Sequence, residues 1–138
     1  MNRPLFVVDT NVLISAALRD DSPLRKALQR VLERDTLIQS LNTFETLERV
    51  LYKKKFEKYL SPQRRKDFLG LVTEKSEFVN VKMVITACCD PKDNKFLELA
   101  VTAHAAAIIS GDQDLLILHP FENIPILTSQ DFLAEDAA

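Results

Sequence analysis

The strongest constraint on this chain is a four-residue apolar run, Leu5-Phe6-Val7-Val8, that stops at a carboxylate, Asp9, with a second apolar run, Val12-Leu13-Ile14, close behind. Unbroken branched and aromatic residues do not alternate between a wet and a dry face. The first run therefore predicts a strand buried on both sides, at the centre of a parallel sheet. Open α/β sheets place their ligands just past the carboxyl ends of strands. Asp9 stands at such an end, so the rest of the sequence can be searched for other carboxylates that reach the same edge.

The segments that follow alternate in type. A short helix is predicted over Asn11 to Leu18. Ser22-Pro23 supplies an N-cap and an N1 proline for a helix to about Arg34, with Leu24, Ala27, Leu28, Val31 and Leu32 on one face. Thr36 to Ser40 reads as a strand. Asn42, with Glu45 three residues on, reads as the cap of a helix that buries Leu47, Val50 and Leu51. Ser61-Pro62 opens another helix to about Lys75. Strands are expected at Phe78 to Val81, with a weaker continuation through Val84-Ile85, at Ala107 to Ser110 and at Ile124 to Leu127. Between them, Asp90-Pro91-Lys92-Asp93 opens a helix with the stripe Phe96, Leu97, Ala100, Val101 and His104. A short helix over Asp114 to Leu118 and a last turn at Asp131 to Leu133, capped by Thr128 or Ser129, complete the pattern. His104 is expected to pack at its helix end. Such alternation predicts a three-layer α/β/α sandwich around a parallel sheet.

Bulk properties narrow the class. The 138 residues suit one domain, 1–138, and their 46% hydrophobic and 28% charged content is that of a soluble globular chain. No apolar run approaches the ~18 residues of a membrane span, and the N-terminus shows no secretory leader, so a cytoplasmic protein is expected. Cys88 and Cys89 are adjacent and without further cysteines, which predicts reduced, half-buried thiols. Gly70 and Gly111 are the only glycines, which excludes a G-x-G-x-x-G turn and a phosphate-cradling P-loop.

Charge is divided unevenly. The net charge is -2, yet residues 49–66 carry eight basic side chains against Glu57 alone, whereas residues 83–138 carry nine acidic side chains against Lys92 and Lys95. Such a division suits phosphate contact in one region and cation binding in another. Lys53, Lys54, Lys55, Lys58, Arg64 and Arg65 are the candidate phosphate contacts, with Tyr52, Phe56 and Tyr59 available to stack bases.

The carboxylates converge. Asp9 and Asp112 each end a buried strand, and Asp93 lies on the buried stripe of its helix in the N-terminal turn, which faces the strand ends. Glu45 reaches the same edge from the helix after the second strand. Glu48 flanks the apolar stripe more closely, so periodicity does not choose between the two. Two unit charges ~5 Å apart repel by about 3 kcal/mol at an effective dielectric near 20. A cluster of this kind stays ionised only beside a cation, and an all-oxygen ligand set selects Mg²⁺ or Mn²⁺.

Four stretches carry a resemblance. Asp9-Thr10-Asn11-Val12-Leu13-Ile14-Ser15, Glu45-Thr46-Leu47, Asp90-Pro91-Lys92-Asp93-Asn94-Lys95-Phe96-Leu97-Glu98-Leu99-Ala100 and Ser110-Gly111-Asp112-Gln113-Asp114-Leu115-Leu116 resemble, in order and spacing, the four motifs of PIN-domain ribonucleases. The nearest likeness is to the prokaryotic proteins described as toxin components of toxin–antitoxin pairs. The resemblance implies Mg²⁺- or Mn²⁺-dependent hydrolysis of RNA phosphodiesters, with products bearing a 5′-phosphate and a 3′-hydroxyl. It makes Asp9, Glu45, Asp93 and Asp112 the catalytic metal ligands, selecting Glu45 over Glu48, with Asp114 as an optional fifth. Asn11 and Ser110 match supporting positions around that shell. RNA as substrate, a small antitoxin and a homodimer are the implied partners. The chain departs from the pattern at Phe44, where relatives often carry another acid, and at Cys89, where a basic residue commonly precedes the D-P-x-D turn.

Two other classes compete. A receiver-type signalling domain has similar architecture and binds Mg²⁺ with acidic strand ends, but it needs a late lysine, and no Lys or Arg follows Lys95. A catalytically silent PIN-like scaffold that binds RNA or protein keeps the same ligand residues; cleavage in Mn²⁺ against EDTA separates it from a nuclease.

Overall fold

β1 (Leu5–Val8) lies at the centre of a five-stranded sheet in a computed structural model that describes residues 3–137. The other strands are β2 (Thr36–Gln39), β3 (Ser76–Phe78), β4 (Ala107–Ile109) and β5 (Ile126–Leu127), in the spatial order β3-β2-β1-β4-β5. Every pairing is parallel, with Phe6 opposite Leu37 on one side and opposite Ala107 on the other. Among the described residues six helices run between them, α1 (Thr10–Leu18), α2 (Pro23–Arg34), α3 (Leu41–Leu51), α4 (Pro62–Lys75), α5 (Asn94–Ala103) and α6 (Gln113–Leu116), and α7 (Ser129–Ala137) follows β5.

Both faces of β1 are dry, as its unbroken apolar run requires. Phe6 and Val8 join Leu37, Ala107 and Ile109 in a core with residues of α1 to α4 and α7, where Phe6 meets Phe132 edge to face at 5.1 Å. Val7 points the other way, into a second core with Ile38, Ile108, Ile126 and the buried side of α5. The three layers follow directly from strands whose alternate residues are all apolar. Among the described residues, no helix is long and apolar enough to cross a membrane.

Local chemistry sets most element starts. Ser22 and Ser61 cap α2 and α4, each followed by proline at N1. α3 differs from the sequence reading: its cap is Ser40, not Asn42. Ser40 Oγ accepts from the Thr43 N–H at 3.1 Å while Thr43 Oγ1 accepts from the Ser40 N–H at 2.9 Å, a reciprocal capping box. Glu45 is thereby released from any capping role. Thr128, one of the two cap candidates for α7, accepts from the Asp131 N–H through its Oγ1.

The third strand is also shifted. It spans Ser76–Phe78, the Val79 N–H makes one further bond to the Gln39 carbonyl, and the chain then leaves the sheet. β3 is an edge strand, so nothing on its far side holds Asn80 onward in register. Val79, Val81 and Ile85 instead pack against the second core, and the Ile85 N–H bonds Glu98 Oε2 at 2.9 Å. The Val84-Ile85 extension is therefore an irregular segment, not a strand. At the other edge Ile124 pairs with Phe121 in an isolated bridge, and β5 begins only at Ile126. His104 is exposed at the C-cap of α5 with φ 54°, a left-handed turn in place of the expected packing. Cys88 is buried, Cys89 is exposed, and both are free thiols.

Candidate metal centre

The chain turns outward twice from β1, first to β2 and β3 on one side and then to β4 and β5 on the other. The crevice at such a switch point lies between the carboxyl ends of β1 and β4, and Asp9 and Asp112 stand at those two ends. Asp9 is buried as the N-cap of α1. Its Oδ1 accepts from the Asn11 N–H at 3.3 Å and its Oδ2 from the Ser110 hydroxyl at 2.7 Å. Ser110, fully buried, also accepts from the Asp112 N–H at 3.0 Å. One hydroxyl thus fixes the spacing of two strand ends. Asp112 in turn caps α6, its Oδ1 accepting from the Asp114 N–H at 2.9 Å.

A third carboxylate arrives from the opposite layer. Asp90 and Pro91 begin a 3₁₀ turn, Pro91–Asp93, that runs straight into α5 and places Asp93 inside the protein. Asp93 is only 8% exposed, and its buried Oδ2 has no hydrogen-bond donor among the described residues. Burial first, then the shared hydrogen bond and charge of Asp112 and the charges of Asp9 and Asp90, push its carboxyl up to about 7. Asp9 is raised as well, mainly by burial and to a smaller extent by Asp112, against the lowering effect of the Ser110 and Asn11 bonds. Oxygens of Asp90, Asp93 and Asp114 lie within 4.8 Å of one another. Ligands 2.0–2.6 Å from one ion are at most about 5 Å apart, so this spacing and an all-oxygen donor set fit a hard divalent cation. The donorless Asp93 Oδ2 is the group such an ion would satisfy.

The residues anticipated from sequence do not all share this arrangement. Asp9, Asp93 and Asp112 act on one another, and Asp114 joins Asp93 beside them. Glu45 is exposed on α3 and lines a neighbouring cleft with Lys95 and Glu98. Asn11 supports Asp9 through its backbone N–H, with its own side chain in an exposed position. Lys53, Lys54, Lys55, Lys58 and Arg64 are exposed. Arg65 is a correction: it is 5% exposed, donates to the Leu51 carbonyl at 3.1 Å and lies 5.5 Å from the Tyr52 ring centroid. Its guanidinium closes the C-terminal end of α3 and faces inward, unlike its basic neighbours.

Two residues were missed. Asp90 was read only as part of a turn, although its i, i+3 spacing from Asp93 puts two carboxylates over one helical turn. Lys95 looked like an ordinary helix residue. It is half-buried, donates to Thr46 Oγ1 at 2.8 Å and feels the charges of Asp93 and Asp90. Burial, then Arg49, lowers its ammonium below the usual lysine range. Beneath the centre, the buried Asn94 accepts from the Cys88 N–H at 2.9 Å, and the Cys88 thiol donates to the Asp114 carbonyl at 3.4 Å, tying the irregular segment to the site floor.

Comparison with known proteins accounts for this geometry. A sequence model described as the PIN domain matches residues 6–114, from β1 to the Asp112–Asp114 turn. The chain belongs to the PIN domain family. The chain is 32% identical over 116 residues to the uncharacterised protein MJ1680 of Methanocaldococcus jannaschii, covering 81% of this chain and 73% of the relative. Among solved structures, PAE2754 from Pyrobaculum aerophilum shares the fold with a TM-score of 0.63 at 12% identity, covering 98% of this chain and 91% of that one. VapBC2 from Rickettsia felis, solved bound to a DNA fragment from its promoter, shares it at 0.61 and 10% identity, covering 90% and 98%. The α/β/α architecture anticipated from the alternating pattern is therefore that of the PIN fold.

Proposed function

We propose that this PIN domain is a divalent-metal-dependent endoribonuclease, acting as the toxin of a toxin–antitoxin pair. One observation carries the reading: a buried carboxylate, Asp93, has an oxygen with no donor among the described residues and is crowded by Asp90 of its own turn and by further carboxylates from two other segments. A fold that gathers like charges loses stability unless positive charge is held there, and Lys95 at the margin of the cluster offsets only part of the repulsion. Asp9, Asp93 and Asp112 would hold Mg²⁺ or Mn²⁺, with Asp90 and Asp114 completing the oxygen set and Glu45 offering a further carboxylate from the adjoining cleft. A bound ion of this kind lowers the pKa of a water and stabilises charge on a phosphate oxygen.

The protein's own residues do the positioning. Ser110 ties the Asp9 carboxylate to the Asp112 backbone N–H, and the N-terminal turn of α1 fixes Asp9. Lys95, beside the acids yet cationic, neutralises an RNA phosphate entering from the α3–α5 side. The exposed Lys53, Lys54, Lys55, Lys58 and Arg64 guide the backbone farther out. The antitoxin partner follows from the motif resemblance.

The test is cleavage of mixed RNA in Mn²⁺ and in EDTA by the wild type and by Asp9→Asn. Cleavage only by the wild type with Mn²⁺ is expected. Equal cleavage by both proteins would refute the assignment, and Mn²⁺ binding without cleavage would mark a silent scaffold.

A further inference from the structure

The cleft beside the carboxylates has a chemistry of its own. Its volume is about 690 Å³, and it lies between the start of α3, the segment that leaves β3 and the first turns of α5. Phe78 forms part of the wall with 47% of its surface exposed, its ring held edge-on by Phe44 at 5.6 Å. Asn42 and Asn80, both exposed, add two amides, and Lys82 and Lys95 add two cations. Lys95 lines the cleft and also feels Asp93 and Asp90, so the cleft lies beside the candidate metal centre.

An aromatic face, two amides and flanking ammonium groups match the parts of an unpaired nucleotide: a base to stack, an edge with donors and acceptors, and phosphates on either side. A duplex keeps its bases stacked inside and could offer the cleft only its backbone. Glu45 and Glu98 on the same walls repel any anion alike, so the choice of a nucleotide over an acidic peptide rests on the aromatic face and the two amides. We propose that this cleft is a base-specificity pocket of the nuclease, in which Phe78 stacks one splayed RNA base next to the cut site while Asn42 and Asn80 read its edge. The inference rests on the nuclease reading above.

The experiment uses the full chain with Mn²⁺ and a set of short single-stranded RNAs, each carrying one abasic ribose at a successive position. Phe78→Ala should raise KM about tenfold with kcat within about twofold, the loss expected of one stacked base. In the wild type, an abasic site at one position should cause the same loss. Combining that RNA with Phe78→Ala should add nothing, because both changes remove one contact. Phe78→Tyr should restore KM. Asn80→Ala, in an exposed loop, should compress the preference among bases and tests the pocket even if Phe78→Ala folds poorly. Normal KM in Phe78→Ala with unchanged base preference in Asn80→Ala, or losses that multiply at every abasic position, would overturn the pocket and leave the nuclease reading standing. Absence of cleavage by the wild type on every RNA would bring down both.

Discussion

The carboxylate centre and the basic segment over residues 49–66 are opposite solutions to the same problem of placing many like charges close together. The basic residues are spread over a turn, a 3₁₀ segment and the start of α4, where all but Arg65 among the six anticipated contacts reach water. Their repulsion is screened, and each costs the fold little. The acids are drawn from β1, β4, α5 and the turns beside them and are set in a partly dry crevice. There Asp93 is raised to about 7 and Asp9 is raised as well. Exposed charge is cheap and loosely placed. Buried charge is costly, and that cost is tolerated where geometry must be exact to function.

The widest separation between the two regions should come from Asp93→Asn. Cleavage should fall by at least about a hundredfold, since ligand loss exceeds the effect of removing a supporting hydrogen bond. The metal-free variant should nevertheless unfold later than the wild type in urea at pH 8, by about 2 kcal/mol, because an ionised buried group has been replaced by a neutral one. Lower stability in the variant would break the comparison.

Next in size is the pH response. The folded state holds the Asp93 proton more tightly than the unfolded chain does, so between about 4 and about 7 the native state binds more protons. Stability from this group is therefore full below its unfolded value and is lost as pH rises through about 7. Urea midpoints of EDTA-treated protein should drop across that window, and added Mn²⁺ should restore them. A midpoint that climbs from pH 5 to 8 without metal would show that the acids are not strained.

Arg65→Ala sharpens the contrast inside the basic segment. Removing the buried guanidinium strips the end of α3 of its donor and should cost about 2 kcal/mol, whereas Lys54→Ala should lie within about 0.5 kcal/mol of the wild type. The smallest effect should belong to the triple change Lys53→Ala, Lys54→Ala, Lys55→Ala. Melting should be unchanged, while the salt dependence of RNA binding should flatten by about two units of log–log slope. An unaltered slope would remove these lysines from the RNA path.

The sequence carried the centre of the fold well because β1 and β4 are continuous apolar runs that stop at acids, and because the Ser-Pro starts of α2 and α4 encode their caps locally. Asp9 and Asp112 followed from those same apolar runs, and Asp93 from the buried stripe of α5. Edges were less legible. Asn80 to Ile85 has strand-like composition, but its fate depends on whether a neighbour exists beyond β3 and on a bond to Glu98 that no local pattern reveals. The start of α3 went to Asn42 because an acid three residues on imitates a capping box; Thr43 supplies the same bond with a hydroxyl. Arg65 hides among basic neighbours, since burial of a long cation is decided by the carbonyls it meets. Asp90 and Lys95 acquire significance only when α5 is laid against α3 and the ends of the sheet.

The placement of β1 between strands drawn from opposite halves of the sequence bears on synthesis. Asp9 is made before its neighbour Ser110 and the acids at 112 and 114, which come a hundred residues later, with β4. A growing chain therefore carries no assembled carboxylate cluster until β4 has been made and has paired with β1.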